Sequence, residues 1–233
     1  MDSPVKLSRR LETVAGLFVP GRTMADIGTD HAGLPIALIQ RGIFENAVAA
    51  DVRKGPLQAA GMHIAEAGLT DRIKAVLSDG LDSIAPEQAE TVCMAGMGGY
   101  LIAELIARAS AQNKLAHTSQ LVLQPQSEID RVRRQIHSSG FRIEQERMEE
   151  DRGKLYTVIR AVPGQERYEE EEYRFGRCLF ADRDPVFRMQ LERIVARDRA
   201  ILDGLGSGSE AGELEEELKQ AERMLNSWNV QSV

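Results

Sequence analysis

The 233-residue sequence has two cysteines, one tryptophan and an aromatic content of 5%. Two thiols, Cys93 and Cys178, are too few for a disulfide framework, so reduced thiols in the cytoplasm are expected. No stretch of roughly 18 apolar residues occurs, which excludes a transmembrane helix. Arg9 and Arg10 interrupt the N-terminal stretch where a secretory signal would carry its apolar core. The sequence has no Gly-x-Ser-x-Gly, no Walker-type loop and no GxGxxG. His63, His117 and His137 are scattered without metal-ligand spacing, and the two cysteines are distant, so no zinc or other metal site is expected. There is no internal repeat, and the only low-complexity run is the short Gly/Ser stretch 204–209.

Hydrophobic residues make up 42% and charged residues 28%. That is ordinary globular composition and excludes general disorder. At about 100–200 residues per domain, the length suits one full domain plus an appendage, or two small domains. The formal net charge is −7, which at first argues against a nucleic-acid partner. The charge is unevenly distributed: residues 1–162 are net −1 and residues 163–233 net −6. Whole-chain charge is therefore a poor guide to what the first part binds.

Strands and helices alternate through residues 1–162. A helix is predicted over 8–19, with Ser8 as N-cap and Leu11, Val14, Ala15 and Phe18 on one face. Strands are predicted at 23–27, 47–51, 73–77, 91–95 and 121–124. Helices are predicted at 34–40, 56–67, 100–110 and 128–138. This order implies a parallel sheet covered on both faces. Residues 141–149 and 154–161, around Asp151-Arg152-Gly153, read as a hairpin. Five parallel strands ending in an antiparallel hairpin outline a class I methyltransferase sheet, an α/β Rossmann-like fold; a dinucleotide-binding sheet would normally add a sixth parallel strand.

Residues 163–233 read as helical. Leu214, Leu218, Ala221, Leu225 and Trp228 step by 4, 3, 4 and 3, a heptad seam. Phe187, Leu191, Ile194, Ile201 and Leu205 form a second stripe, with Asp198 at the seam position between them. Two antiparallel helices joined through the Gly/Ser run are the simplest arrangement. Glu169 to Glu172 suit a solvated helix face better than a binding site. Two domains are expected: 1–162, carrying the chemistry, and 163–233, helical and coiled-coil-like.

The chemistry-bearing loops follow the strands, where ligands of doubly wound sheets bind. Asp26-Ile27-Gly28-Thr29-Asp30-His31-Ala32-Gly33 follows the first strand. Two acids near this loop disfavour a pyrophosphate and suit a cofactor with a cationic amino-acid end, such as S-adenosylmethionine. An ordinary strand-to-helix turn with solvated acids accounts for the same residues. Asp51 ends the second strand, where an acid accepts hydrogen bonds from a ribose diol or simply caps the next helix. Asp79-Gly80 follows the third strand and suits either an adenine amine or a plain turn. Gly96-Met97-Gly98-Gly99 follows the fourth and reads as a loop that passes close to something, or as a tight turn. Arg131, Arg133 and Arg134 on one helix, and Arg9 and Arg10 on another, could hold phosphates; solvated arginines are the plainer reading of each.

Together these residues identify a family resemblance. Leu7-Ser8-Arg9-Arg10-Leu11, Asp26 to Ala32 with Leu34-Pro35, Gly55-Pro56, Gly80-Leu81, Ala95 to Gly99, Leu123-Gln124-Pro125 and Gly153-Lys154-Leu155-Tyr156 occur in order over residues 7–162. The chain resembles the bacterial tRNA (adenine-N1)-methyltransferases that modify the adenine at position 22, the TrmK type. The tail matches in helical character only.

The resemblance implies an S-adenosyl-L-methionine site lined by Asp26, Gly28, Thr29, Asp30 and His31. It places Asp51 and Val52 at the ribose and Asp79 and Gly80 at the cofactor's adenine. Gly96, Met97 and Gly98 border the target base, with Gly96 and Gly98 also against the cofactor. The catalytic candidates are Asp30, with His31 and the Met97 backbone as helpers. The partner implied is tRNA. Three positions depart from the family pattern: Gly33 stands where members usually have Tyr, Asp51 where Glu is common, and Gln126 where Asn follows Gln-Pro.

Adenine N1 is unprotonated at neutral pH and needs no strong base. Catalysis is then mainly alignment, with a carboxylate near N6 stabilising the cationic product ring; Asp30 is the first candidate. N1 lies on the pairing edge, so the target base must be unpaired or extruded. Two other classes remain open on sequence alone. A nicotinamide-dependent oxidoreductase would show selective NAD binding. A non-catalytic nucleoside-binding module acting through its helical tail would lose all function on tail deletion.

Overall fold

The structure, a computed structural model, describes residues 5–204 and 211–230. The elements run α1 (Arg9–Gly16), β1 (Gly21–Ile27), α2 (Gly33–Gln40), β2 (Phe44–Asp51), α3 (Lys54–Glu66), β3 (Ile73–Leu77), β4 (Thr91–Met97), α4 (Gly99–Ala111), β5 (Gln120–Pro125), α5 (Ile129–Ser138), β6 (Phe141–Asp151) and β7 (Lys154–Pro163). The tail adds α6 (Glu170–Phe175), α7 (Arg177–Ala181), α8 (Pro185–Gly204) and α9 (Ala211–Val230). The seven strands form one sheet in the order β3-β2-β1-β4-β5-β7-β6. β1 to β5 pair in parallel, and β7 and β6 pair antiparallel at the end. This is the expected α/β class I methyltransferase outline.

Alternation along β1 separates the two faces of the sheet. Ala25 and Ile27 join the core with Ile102, Leu105 and Ile106 of α4. Met24 faces the opposite core, with Val14 and Ala15 of α1, Leu38 of α2 and Ile64 of α3. β5 is buried along its whole length, as a strand covered on both sides must be.

The first helix is shorter than its sequence predicts. It ends at Gly16 rather than continuing to residue 19. The Gln120 side chain accepts from the Val19 N–H at 3.1 Å and donates to the Val19 carbonyl at 2.7 Å. Those bonds satisfy backbone groups that a further helical turn would have used. Phe18 is buried beyond the helix end, edge-on to Phe44 with ring centroids 5.6 Å apart.

The tail has four helices among the described residues, where two were expected. α8 and α9 form the antiparallel pair: Phe187, near the start of α8, lies 6.1 Å from Trp228, near the end of α9. Ala221 and Trp228 are buried, and Leu225 packs against the same cluster. Asp198 sits at the seam position fully buried, and the Arg197 guanidinium reaches it at 2.6 Å. Ile201 is exposed. Leu205 and the rest of the Gly/Ser run, 205–209, lie outside the described residues. α6 and α7 are too short to show an apolar stripe. They lie against the sheet domain: Tyr168 and Tyr173 belong to the same core as β5 and α5.

The acidic run Glu169 to Glu172 is more than a solvated face. Glu170 pairs with Arg134 of α5, Glu172 with Arg177 of α7 at 2.7 Å, and Glu171 with Arg223 of α9 at 3.6 Å. Among the described residues no helix is long and apolar enough to cross a membrane.

Candidate functional site

A cleft of about 580 Å³ lies beyond the carboxyl ends of β1 to β4. Its floor is apolar, from Ile27, Leu101 and Leu105. Three acids stand around it: Asp30 after β1, Asp51 at the end of β2 and Asp79 after β3. Each comes from a different loop, as the parallel sheet dictates.

Asp51 is buried. Its Oδ1 accepts from the Arg53 backbone N–H at 2.7 Å. Its Oδ2 has no partner among the described residues, so one oxygen of a buried carboxylate is left for a ligand. A vicinal diol is the donor that such an oxygen suits. Asp79 is held differently. Arg108 of α4 pairs with it at 2.8 Å and also donates to its backbone carbonyl at 3.0 Å. A carboxylate has about four lone-pair positions, so Asp79 can still accept from an amine. Ser78 braces this loop by donating to the Gly80 carbonyl at 2.8 Å and accepting from the Ser83 N–H.

The loop after β1 is bent sharply. His31 and Ala32 both have left-handed backbone, with φ of +57° and +54°. L-residues avoid that region, so strain is stored beside the cleft. Gly28 has φ +74°, and a methyl group there would lie 3.0 Å from the Met97 Sδ. The left-handed backbone favours glycine there, and its lack of a side chain leaves room for Met97.

Eight of the twelve residues that sequence points to meet at this cleft: Gly28, Asp30, Asp51, Val52, Asp79, Gly80, Gly96 and Met97. Four do not line it. Asp26 is buried within β1 on the opposite face of the strand from Ile27, beside Cys93 of β4. Burial holds its carboxyl up at about 6, against the smaller opposing effects of the Thr29 hydroxyl and the Cys93 thiol. Thr29 is buried, with its N–H given to the Ala50 carbonyl at 2.9 Å. Gly98 is the residue before α4, and its carbonyl accepts from the Ile102 N–H.

His31 faces a second cavity of about 490 Å³, lined also by Gly33 and His63. Its Nε2 lies 3.2 Å from Asp30 Oδ1, and its ring stands 5.2 Å from the His63 ring. The space around Gly33 is open, with nothing within 4 Å of where a side chain would start.

The glycines after β4 divide by task. Gly96 lies beside the Arg10 guanidinium at the cleft. A methyl group at Gly99 would lie 2.1 Å from the Ser127 carbonyl oxygen, so that glycine admits the chain's own β5–α5 loop. The Met97 carbonyl accepts from the Gln126 N–H at 2.8 Å, which commits one of its two lone pairs.

The cleft also contains residues that sequence reading did not place there: Arg53, Ser78, Leu101, Leu105 and Gln126. Arg10 was noted only as a basic residue. It lines the cleft, hydrogen-bonds the buried Gln124 side chain, and stands 5.6 Å from the Tyr156 ring centroid. A signal existed: Arg10 lies one turn before Val14 on the same face of α1, and Val14 is buried. Arg133 is corrected outright. It is 1% exposed, pairs with Glu146 at 2.8 Å and donates to the Tyr173 and Arg174 carbonyls. Among the described residues no cluster of three His, Cys, Asp or Glu could hold a metal ion.

Residues 24–227 match the model of the TrmK family, tRNA (adenine(22)-N(1))-methyltransferase. The chain belongs to this family. It is 34% identical over 160 residues to the tRNA (adenine(22)-N(1))-methyltransferase of Bacillus subtilis; the aligned segment covers 69% of this chain and 66% of that relative's length. A candidate tRNA (m1A22) methyltransferase of Streptococcus pneumoniae, solved with S-adenosyl-L-methionine, superposes with a TM-score of 0.86 at 32% identity, covering 94% of this chain and all of that one. M. capricolum TrmK, solved with S-adenosyl-homocysteine, gives 0.83 at 26% identity, covering 94% and 98%.

Proposed function

We infer that this chain is an S-adenosyl-L-methionine-dependent methyltransferase that methylates N1 of an adenine in tRNA, at position 22. The observation that carries the reading is the cleft after β1 to β4, where a free oxygen of buried Asp51, the Asp79 carboxylate and an apolar floor fit a nucleoside. Family membership adds the reaction class and the cofactor. A nicotinamide reading has no support, because the terminal hairpin and the acid-flanked loop after β1 differ from a pyrophosphate site.

The cofactor supplies a methyl group already activated on a sulfonium. The chain's work is to bind, align and shield. Asp51, with Val52 beside it, holds the ribose, and Asp79 and Gly80 face the adenine end. Gly28 and Gly96 leave room for the amino-acid end near the β1 and β4 loops. Asp26 and Thr29 act from beneath, as the buried support of the β1 loop.

The substrate N1 lone pair needs no base at neutral pH. Alignment is then the main contribution, worth ~7–11 kcal/mol in well-oriented systems. Asp30, 82% exposed at the cleft, faces the charge that develops on the adenine ring. His31 is a positioning residue, holding Asp30 from the side away from the cleft. Met97 offers its remaining carbonyl lone pair at the same edge. The helical tail, 163–233, acts as a second unit that positions tRNA. The working compartment is the cytoplasm.

Calorimetry tests the cofactor site. S-adenosyl-L-methionine and its demethylated product should bind and NAD should not. Asp51→Ala should weaken the cofactor at least about tenfold, as for a lost charged hydrogen bond. Wild-type protein that bound NAD and ignored S-adenosyl-L-methionine would overturn the reading.

A further inference from the structure

Most arginines around the sheet domain are answered by a carboxylate. Arg41 has Glu12, Arg108 has Asp79, Arg133 has Glu146 and Arg134 has Glu170. Two guanidiniums at the β4–β5 side of the cleft are not. Arg10 and Arg131 have no carboxylate within ion-pair distance among the described residues. Arg131 instead lies over the Tyr100 ring, 4.9 Å from its centroid. Asp130, its neighbour in sequence, acts on Arg134.

Tyr100 itself is anomalous. It is a large aromatic side chain left 57% exposed at the start of α4, one residue before Leu101 of the cleft floor. Its position is fixed rather than loose. Its backbone N–H donates to Glu128 Oε2 at 2.9 Å. The preceding Gly99 is pressed against the Ser127 and Glu128 carbonyls. The first turns of α4 and α5 are thereby held together, with the Tyr100 ring, next in sequence to Leu101 of the cleft, stacked on a cation that has no carboxylate partner among the described residues.

A ring backed by a guanidinium suits an unstacked nucleobase, and the cation suits the adjoining phosphate. An acidic protein surface could use the cation but not the exposed ring face. We propose that Tyr100 and Arg131 form an RNA-binding platform at the cleft rim, with Tyr100 stacking a base that flanks the target adenine and Arg131 contacting its phosphate. This rests on the tRNA methyltransferase reading above. It adds the residues that hold the RNA strand open beside the reacting base, which must leave its pairing partner.

The test is equilibrium binding of the full chain to unmodified tRNA transcript at several salt concentrations, with calorimetry of S-adenosyl-L-methionine alongside. Tyr100→Ala should weaken tRNA about fivefold or more, the loss of one stacked base, and Tyr100→Phe should restore it. Arg131→Ala should flatten the log–log salt dependence by about one unit, the loss of one phosphate contact. Both variants should melt and bind cofactor like wild type. Wild-type tRNA affinity and salt slope in Tyr100→Ala and Arg131→Ala would overturn the platform while leaving methyl transfer by the wild type intact. A wild-type chain that neither binds nor methylates tRNA would overturn the functional reading, and the platform with it.

Discussion

The cleft and the seam between α5, β6 and the tail are both dense in charge, yet they treat it in opposite ways. At the seam the charged groups meet partners within the chain, although Glu146 does so through Oε1 alone and its Oε2 is buried without a hydrogen bond. Arg133 meets Glu146 at 2.8 Å, Arg147 meets Asp182 at 2.7 Å, and Asp184 accepts from the Val186, Phe187 and Met148 N–H groups. At the cleft, Asp51 has Arg53 at 3.4 Å and Asp79 has Arg108 at 2.8 Å, but Asp30 has only the His31 ring beside it, and Arg10 and Arg131 have no carboxylate partner among the described residues. Paired charge fixes the shape of the seam. Unpaired charge at the strand ends is left for a ligand. The same residue types therefore report structure in one place and function in the other.

The sharpest way to break this contrast is at the seam. Arg133→Met leaves Glu146 buried without its cation and should cost about 3–5 kcal/mol by chemical denaturation. Adding Glu146→Leu should recover most of that loss, because a well-packed apolar pair often matches a buried ion pair. Cofactor affinity, measured on the folded fraction, should stay at the wild-type value in both.

Asp26, buried in β1 behind the cleft, is a third case. Its folded-state value of about 6 stands above the 3.8 of a free aspartate. The folded chain therefore holds the proton more tightly than the unfolded chain. Its share of stability is present below about pH 4 and is lost as pH rises through 6, a total of ~3 kcal/mol at 1.36 kcal/mol per unit. Asp26→Asn should gain on wild type between pH 4.5 and pH 7. Urea midpoints for the two proteins that shift in parallel with pH would contradict the assignment.

Asp184→Ala removes the cap of α8 and leaves the Met148 N–H unanswered. The expected cost is ~2 kcal/mol, from a lost cap and an unsatisfied backbone donor. Asp30→Asn should be the quietest in stability, within ~0.5 kcal/mol for an exposed site. It should nonetheless slow methyl transfer at least about tenfold with cofactor affinity unchanged. Unchanged transfer in that variant would remove Asp30 from the mechanism.

What sequence showed follows what is local. Strand alternation, glycine-marked turns and the hairpin depend on neighbours in the chain, and the parallel sheet with its antiparallel end followed from them; the strand order did not. The cleft residues Asp30, Asp51 and Asp79 were legible because strand ends are. Asp26 was placed at the ligand because sequence tells that a strand has two faces without telling which one the cleft uses; the packing of α4 over Ile27 decides that. Arg133 was legible in part: Ile129, Val132 and Ile136 share its face, so an apolar stripe surrounds it. Its partner Glu146 is on another element, and no local pattern shows the pairing. The role of Gly99 depends on a loop 28 residues away. α6 and α7, of six and five residues, are too short for a period to show.

The measurement that tests the central claim most directly is incubation of the full chain with unmodified tRNA and methyl-labelled S-adenosyl-L-methionine, followed by mapping of the labelled nucleoside. The prediction is label in 1-methyladenosine at position 22, abolished by Asp51→Ala at low cofactor and retained in refolded Arg133→Met/Glu146→Leu. Label on another nucleoside, or none in the wild type, would contradict the account.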